Sequence, residues 1–136
     1  MKRNATAVWK GTLKEGNGKL TTQSKVLENT QYSFKTRFED GIGTNPEELV
    51  AAAHSGCFTM QIAAYLSEEN FEIENIETKC EINLVDLVIA GSHLKVEAKI
   101  KGITDDKFQE IVKKAEKNCL ISKLYNTDIT SEATLL

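Results

Sequence analysis

The run PEELVAAAHSGCFTMQIAAYLSEE, Pro46 to Glu69, sets the strongest constraint on this chain. Asn45 suits an N-cap, Pro46 the first helical position and Glu48 the acid of a capping box. Glu47 and Glu48 both suit the positive end of a helix dipole. The signals predict a helix from Pro46 to about Glu68 or Glu69. Leu49, Val50, Ala51, Ala52, Ala53, Phe58, Met60, Ile62, Ala63, Ala64, Tyr65 and Leu66 cover nearly its whole circumference, so a buried central helix is expected. Ala52, Ala53, Ser55 and Gly56 permit close approach of a neighbouring backbone. Cys57, in the middle of such a helix, is the residue that needs a reason.

The elements around this helix predict an α+β fold. Ala5–Leu13 and Gly18–Val26 read as strands flanking the turn KEGNG. Tyr32–Phe38, YSFKTRF, alternates as a third strand, with Lys35 and Arg37 on its polar face. Phe71–Asp86 and Ser92–Ile100 read as a pair of strands around VIAG, with Leu94, Val96, Ala98 and Ile100 facing inward. Thr104 can cap a second helix from Asp105 to about Asn118, whose Phe108, Ile111, Val112, Ala115 and Cys119 share one face. LISKLY then suggests a short turn of helix and TDITSEATL, Thr127–Leu135, a last strand. No repeat or linker composition interrupts the chain, so a single domain over 1–136 is expected.

Bulk composition narrows the class. Hydrophobic residues at 40% and charged residues at 27% predict a folded domain rather than a disordered one. A net charge of -3 with acids and bases interspersed argues against nucleic-acid binding. No apolar run is expected to reach the roughly 20 residues of a membrane span. The start MKRNATAVWKGTLKEG has no apolar core, so no signal peptide is expected. Three widely spaced cysteines, Cys57, Cys80 and Cys119, do not read as a secreted disulfide framework, and a cytoplasmic location is expected.

Each candidate residue has a plain structural reading. Cys80 lies in phase with Ile76, Thr78, Ile82 and Leu84 and reads as a small core hydrophobe. Cys57 and Cys119 each read as core thiols. They lie on core faces of two helices and could meet, which the sequence leaves open. Burial alone would leave Cys57 inert, so reactivity requires a cation from elsewhere. Arg37 is the candidate cation, and Glu47, spare once Glu48 has filled the capping role, is a candidate partner for it. His54 and Cys57, at i and i+3, could join Cys119 as a zinc site, but one H-x-x-C pair is a weak motif, and a satisfied, buried or edge-lying His54 is the better reading.

Taken together, VWKG near the start, FKTRFEDGIGTNPEEL, AAHSGCF and a second Cys after a Lys-rich helix resemble the osmotically inducible protein C family, the OsmC/Ohr group of peroxidases, and more closely its OsmC branch. The resemblance implies an OsmC-like fold and a thiol-dependent peroxidase that reduces organic hydroperoxides in stress defence. It implies that Cys57 is the peroxidatic thiolate and Cys119 its resolving partner in an intramolecular disulfide. It further implies that Arg37 activates and Glu47 holds Arg37. An external dithiol, of lipoyl type, is the implied reductant, and no metal or cofactor is implied. Relatives often carry Pro after the second Cys; here Leu120 follows Cys119, which bears on the local geometry there.

Glu47 and Cys57, ten residues apart, would be separated by about 15 Å along one straight helix. Two copies of the helix packed antiparallel about a two-fold would bring one copy's start near the other's middle. A two-fold homodimer with composite sites is therefore expected, and the resemblance independently implies that the dimer is intertwined. A rival reading is a non-enzymatic dimer that binds a small hydrophobic ligand, with both cysteines merely packed.

Overall fold

The computed structural model describes residues 1–126 and 128–136. Thr127, expected to begin the last strand, lies outside the described residues. The chain divides into two compact units, Met1–Leu49 and Val50–Leu136.

In the first unit β1 (Ala5–Lys10), β2 (Asn17–Thr22) and β3 (Thr30–Tyr32) form an antiparallel sheet in that order. Gly18 pairs with Tyr32, and the ring of Tyr32 stands against the position a β-carbon would take, which only glycine leaves free. The expected third strand, Tyr32–Phe38, is corrected. The strand stops at Tyr32, and Phe34–Phe38 forms a short helix, α1. Ser33 caps it, accepting from Thr36 N–H at 3.3 Å, while Thr36 Oγ1 accepts from Ser33 N–H at 2.8 Å. The reciprocal pair satisfies two backbone donors and stops the strand. The aromatic spacing that imitated strand alternation also satisfies i, i+4, and Phe34 and Phe38 pack with ring centroids 4.9 Å apart.

α2 spans Pro46–Glu68, as its start signals require. The side chain of Asn45 accepts from Glu48 N–H at 2.8 Å. Its expected burial on all sides is corrected: His54, Phe58, Ile62 and Leu66, four residues apart in succession, are the buried set. Ala52, Ala53, Gly56, Met60 and Ala64 are exposed. The expectation about membrane-length runs is corrected too, because Pro46–Glu68 is long and apolar enough, by length and composition, to cross a membrane. A core helix passes the same test, so the property identifies no membrane segment.

The second unit is built on a long antiparallel hairpin, β4 (Glu72–Val85) and β5 (Val88–Lys101), with β6 (Asp128–Leu135) added parallel to β5. The turn is not VIAG, which lies within β5, but Asp86 and Leu87, at φ 49° and 63°. Two successive residues at positive φ match the right-handed twist of the strands they join. α3 (Asp105–Asn118) is capped by Thr104 and buries Phe108, Ile111, Val112 and Ala115 as its periodicity predicts. These meet Leu94, Val96, Ala98 and Ile100 of β5 and the buried stripe of α2 in one core. α4 (Leu120–Leu124) follows directly.

Candidate active site

In the first unit α1 and the first turn of α2 bring Arg37 and Glu47 together. Glu47 Oε1 accepts from Arg37 Nε at 2.9 Å and from Nη2 at 2.7 Å. Both donors converge on one oxygen, which fixes the plane of the guanidinium. The other oxygen, Oε2, is buried and has no hydrogen-bond partner among the described residues. Glu48 is engaged elsewhere, accepting from Thr44 Oγ1 at 2.7 Å. That leaves Glu47 to Arg37, as expected, although Arg37 sits on a helix rather than on a strand face. Arg37 also lines a cavity of about 140 Å³ with Trp9, Leu13, Tyr32, Phe34 and Phe38.

In the second unit the two expected thiols meet. Cys119 Sγ donates to Cys57 Sγ at 2.9 Å. Cys57 is half-buried against the core, and Cys119 is fully buried. Cys119 is shared by two elements, the C-cap of α3 and the N-cap of α4. Its N–H still bonds Ala115 O at 2.9 Å, while its ψ of 135° turns the chain out of α3. That extended ψ is what a following proline would favour, so Leu120 starts α4 from a backbone proline would also accept. Burial pushes the Cys119 thiol up, and the hydrogen bond it gives to Cys57 pushes it further the same way. Ser122 and Ile121, next along the chain, act in the opposite direction without cancelling it.

His54 is completely buried and satisfied at both nitrogens. Nδ1 lies 2.6 Å from Ser92 Oγ and Nε2 lies 2.9 Å from Ser122 Oγ. Burial lowers its pKa, so the ring is neutral at neutral pH. With both nitrogens engaged by serines, the ring has no free lone pair for zinc, and the H-x-x-C reading loses its first ligand. Among the described residues no group of three His, Cys, Asp or Glu side chains could hold a metal ion. Cys80 is half-buried and packs against the core, with Sγ 3.3 Å from Ser92 Oγ, and burial pushes its thiol up. The ring of Tyr125 stands edge-on to His54, centroids 5.0 Å apart. Ser92 and Ser122 were not singled out by the sequence reading. Ser92 had one signal available: it is in phase with Leu94 and Val96 on the inward face of its strand, where a hydroxyl must find a partner.

The family model for OsmC-like proteins matches residues 39–133. The chain belongs to the OsmC-like family. Within it, peroxiredoxin OsmC of Escherichia coli is 38% identical over 98% of this chain and 96% of that protein. The organic hydroperoxide resistance protein OhrB of Bacillus subtilis is 30% identical over 85% of this chain and 88% of that protein. This OsmC-like chain thus sides with the OsmC branch, as its Arg37-to-Leu49 junction suggested. The crystal structure of an OsmC-like protein from Mycoplasma pneumoniae superposes with a TM-score of 0.78 over 100% of this chain and 98% of that one, at 12% identity, so the fold outlasts the sequence.

Proposed function

We propose that the protein is a cysteine-based peroxidase that reduces organic hydroperoxides. The observation that carries this is the Cys57–Cys119 pair, two free thiols 2.9 Å apart on a chain 38% identical to a peroxiredoxin. Cys57, as the thiolate, attacks the outer peroxide oxygen; the O–O bond breaks, alkoxide leaves and takes a proton, and Cys57 becomes a sulfenic acid. Cys119 then attacks the Cys57 sulfur. The S–S bond forms, the S–OH bond breaks, and the hydroxide leaves as water with the Cys119 proton. An external dithiol restores both thiols by exchange; the family resemblance suggests a lipoyl-type reductant.

Arg37 is assigned to keep Cys57 ionised and to stabilise the departing alkoxide, with Glu47 steering it. Their pairing and the family motif support this assignment. The apolar cavity beside Arg37 suits a bulky organic tail better than hydrogen peroxide. The working form is assigned as an intertwined two-fold dimer with composite sites. The exposed small residues of α2 and its Met60, 74% exposed, favour it, since such a face is expected to find a second helix. A cytoplasmic location, within a single functional domain, is part of the same reading. Steady-state kcat/KM for an alkyl hydroperoxide against hydrogen peroxide tests the substrate class. A clear preference for hydrogen peroxide overturns it.

A further inference from the structure

The segment from Cys119 to Tyr125, which is α4 with its two caps, meets α2 at three places in succession. Cys119 Sγ donates to Cys57 Sγ at 2.9 Å. Ser122 Oγ lies 2.9 Å from His54 Nε2. Tyr125 Oη donates to Val50 O at 3.3 Å. The contacts step three and three residues forward along the segment, and three and four back along α2. Cys57, His54 and Val50 therefore share one face of α2, and the segment runs antiparallel to it. The thiol pair is the first rung of a ladder whose other two rungs take no part in the chemistry above.

Apart from Cys119 itself, little else holds this segment. α4 is five residues long, too short to be stable by itself. Ser122 is its buried residue, Ile121 is half-buried against the core, and Leu120 and Leu124 are exposed. The two remaining rungs are firm by comparison. His54 is completely buried, and Ser92 on β5 engages its Nδ1 at 2.6 Å, which fixes the ring with Nε2 toward Ser122. That contact stands whichever group gives the hydrogen. The ring of Tyr125 stands edge-on to that of His54, centroids 5.0 Å apart, so the second and third rungs brace each other.

Peroxide alters the first rung alone. Cys57 becomes a sulfenic acid, and Cys119 must reach its sulfur before a second peroxide does. We propose that the His54–Ser122 and Val50–Tyr125 contacts position the resolving thiol: they hold the segment on α2 while Cys57 is oxidised, and so decide between disulfide and over-oxidation. The inference rests on the peroxidase reading and deepens it. It adds no chemical step; the contacts raise the effective concentration of Cys119 at Cys57. Because the segment is ordered before the S–S bond closes, the disulfide is also harder to reduce.

Two readouts test this. Single-turnover kinetics with tert-butyl hydroperoxide gives the ratio of disulfide-forming to sulfenic-forming rate. Equilibration in dithiothreitol redox buffers gives the potential of the Cys57–Cys119 disulfide. Ser122→Ala and Tyr125→Phe each remove one rung, and the second keeps the ring. Each is expected to lower the ratio about fivefold, the net worth of one hydrogen bond. Each is expected to raise the potential by about 20 mV, that fold-change at about 30 mV per tenfold. Ser122→Thr, which keeps the hydroxyl, is expected to restore both, and Tyr125→Phe carries the test should Ser122→Ala not fold. A ratio or a potential unmoved in both variants, or a change in Ser122→Ala that Thr does not restore, overturns the inference and leaves the peroxidase reading standing. Absence of any sulfenic acid in the unaltered protein overturns the peroxidase reading and this inference with it.

Discussion

Cys119 Sγ hands its hydrogen to Cys57 Sγ across 2.9 Å, from the junction of two helices to the middle of a third. A disulfide needs about 2.05 Å between sulfurs, so oxidation requires less than an ångström of approach. The roles on the two sides differ. Cys57→Ser is expected to abolish peroxide turnover. Cys119→Ser is expected to stop after one turn, with the sulfenic acid on Cys57 accumulating and then passing to sulfinic acid under excess peroxide. Intact-mass measurement after graded peroxide addition reads both outcomes.

Arg37→Lys keeps a positive charge but loses the fork that puts two donors on Glu47 Oε1. Removing a preorganised donor of this kind lowers kcat by about 10²–10³. Glu47→Gln keeps the shape and loses the carboxylate, and is expected to fall in the same direction by less. Stopped-flow kinetics of the first step measures both. Variants at wild-type rate would leave the pair a structural ion pair.

Resolution should be pH-dependent in one direction. Burial and the bond to Cys57 hold the Cys119 thiol above its ordinary value of 9.0, so at that pH it is still mainly protonated. The rate of disulfide formation after a fixed sulfenic load is expected to rise with pH through 9.0 and to level off above it. The sign for stability is opposite. A raised folded-state pKa contributes stability below the ordinary value that is lost as pH climbs through the folded one. A resolution rate flat across that range would mean the proton is lost elsewhere.

His54 adds the acid side. Its pKa is lowered from 6.5 by burial, so the unfolded chain binds a proton that the folded chain refuses. The stability this contributes is present above pH 6.5 and is lost as pH falls through the folded value. One proton gives a limiting slope of about 1.4 kcal/mol per pH unit. Urea midpoints across this range check it, and His54→Asn is expected to flatten the dependence.

The exposed stripe of α2 supplies a test of assembly. Met60→Glu would place a charge among Ala53, Gly56 and Ala64, which are exposed in the single chain. Sedimentation equilibrium is expected to show a dimer for the unaltered protein and a shift toward monomer for the variant. A monomer in both would remove the composite-site proposal.

What was legible in the sequence follows physical lines. α2 carried its start signals and α3 both a cap and periodicity, so their limits and the buried face of α3 could be read before any coordinates. The segment from Tyr32 to Phe38 could not, because its aromatic spacing satisfies both a strand and a short helix. The decision lay in the reciprocal bonds of Ser33 and Thr36. The hairpin turn misled because Gly91 drew attention from Asp86 and Leu87, where leucine accepts positive φ. At the site, the residue types came from motif resemblance, and the meeting of Cys57 with Cys119 came from coordinates. Ser122 was invisible, and Ser92 showed only its phase with Leu94 and Val96, because a serine shows its importance through what it touches.

The central claim is that peroxide converts these two thiols into one bond. Mass spectrometry of the protein after one equivalent of an organic hydroperoxide, digested without reductant, tests it most directly. The account predicts a peptide pair joined through Cys57 and Cys119, with Cys80 left as free thiol. Recovery of Cys57 and Cys119 as unmodified thiols, with the hydroperoxide unconsumed, would contradict it.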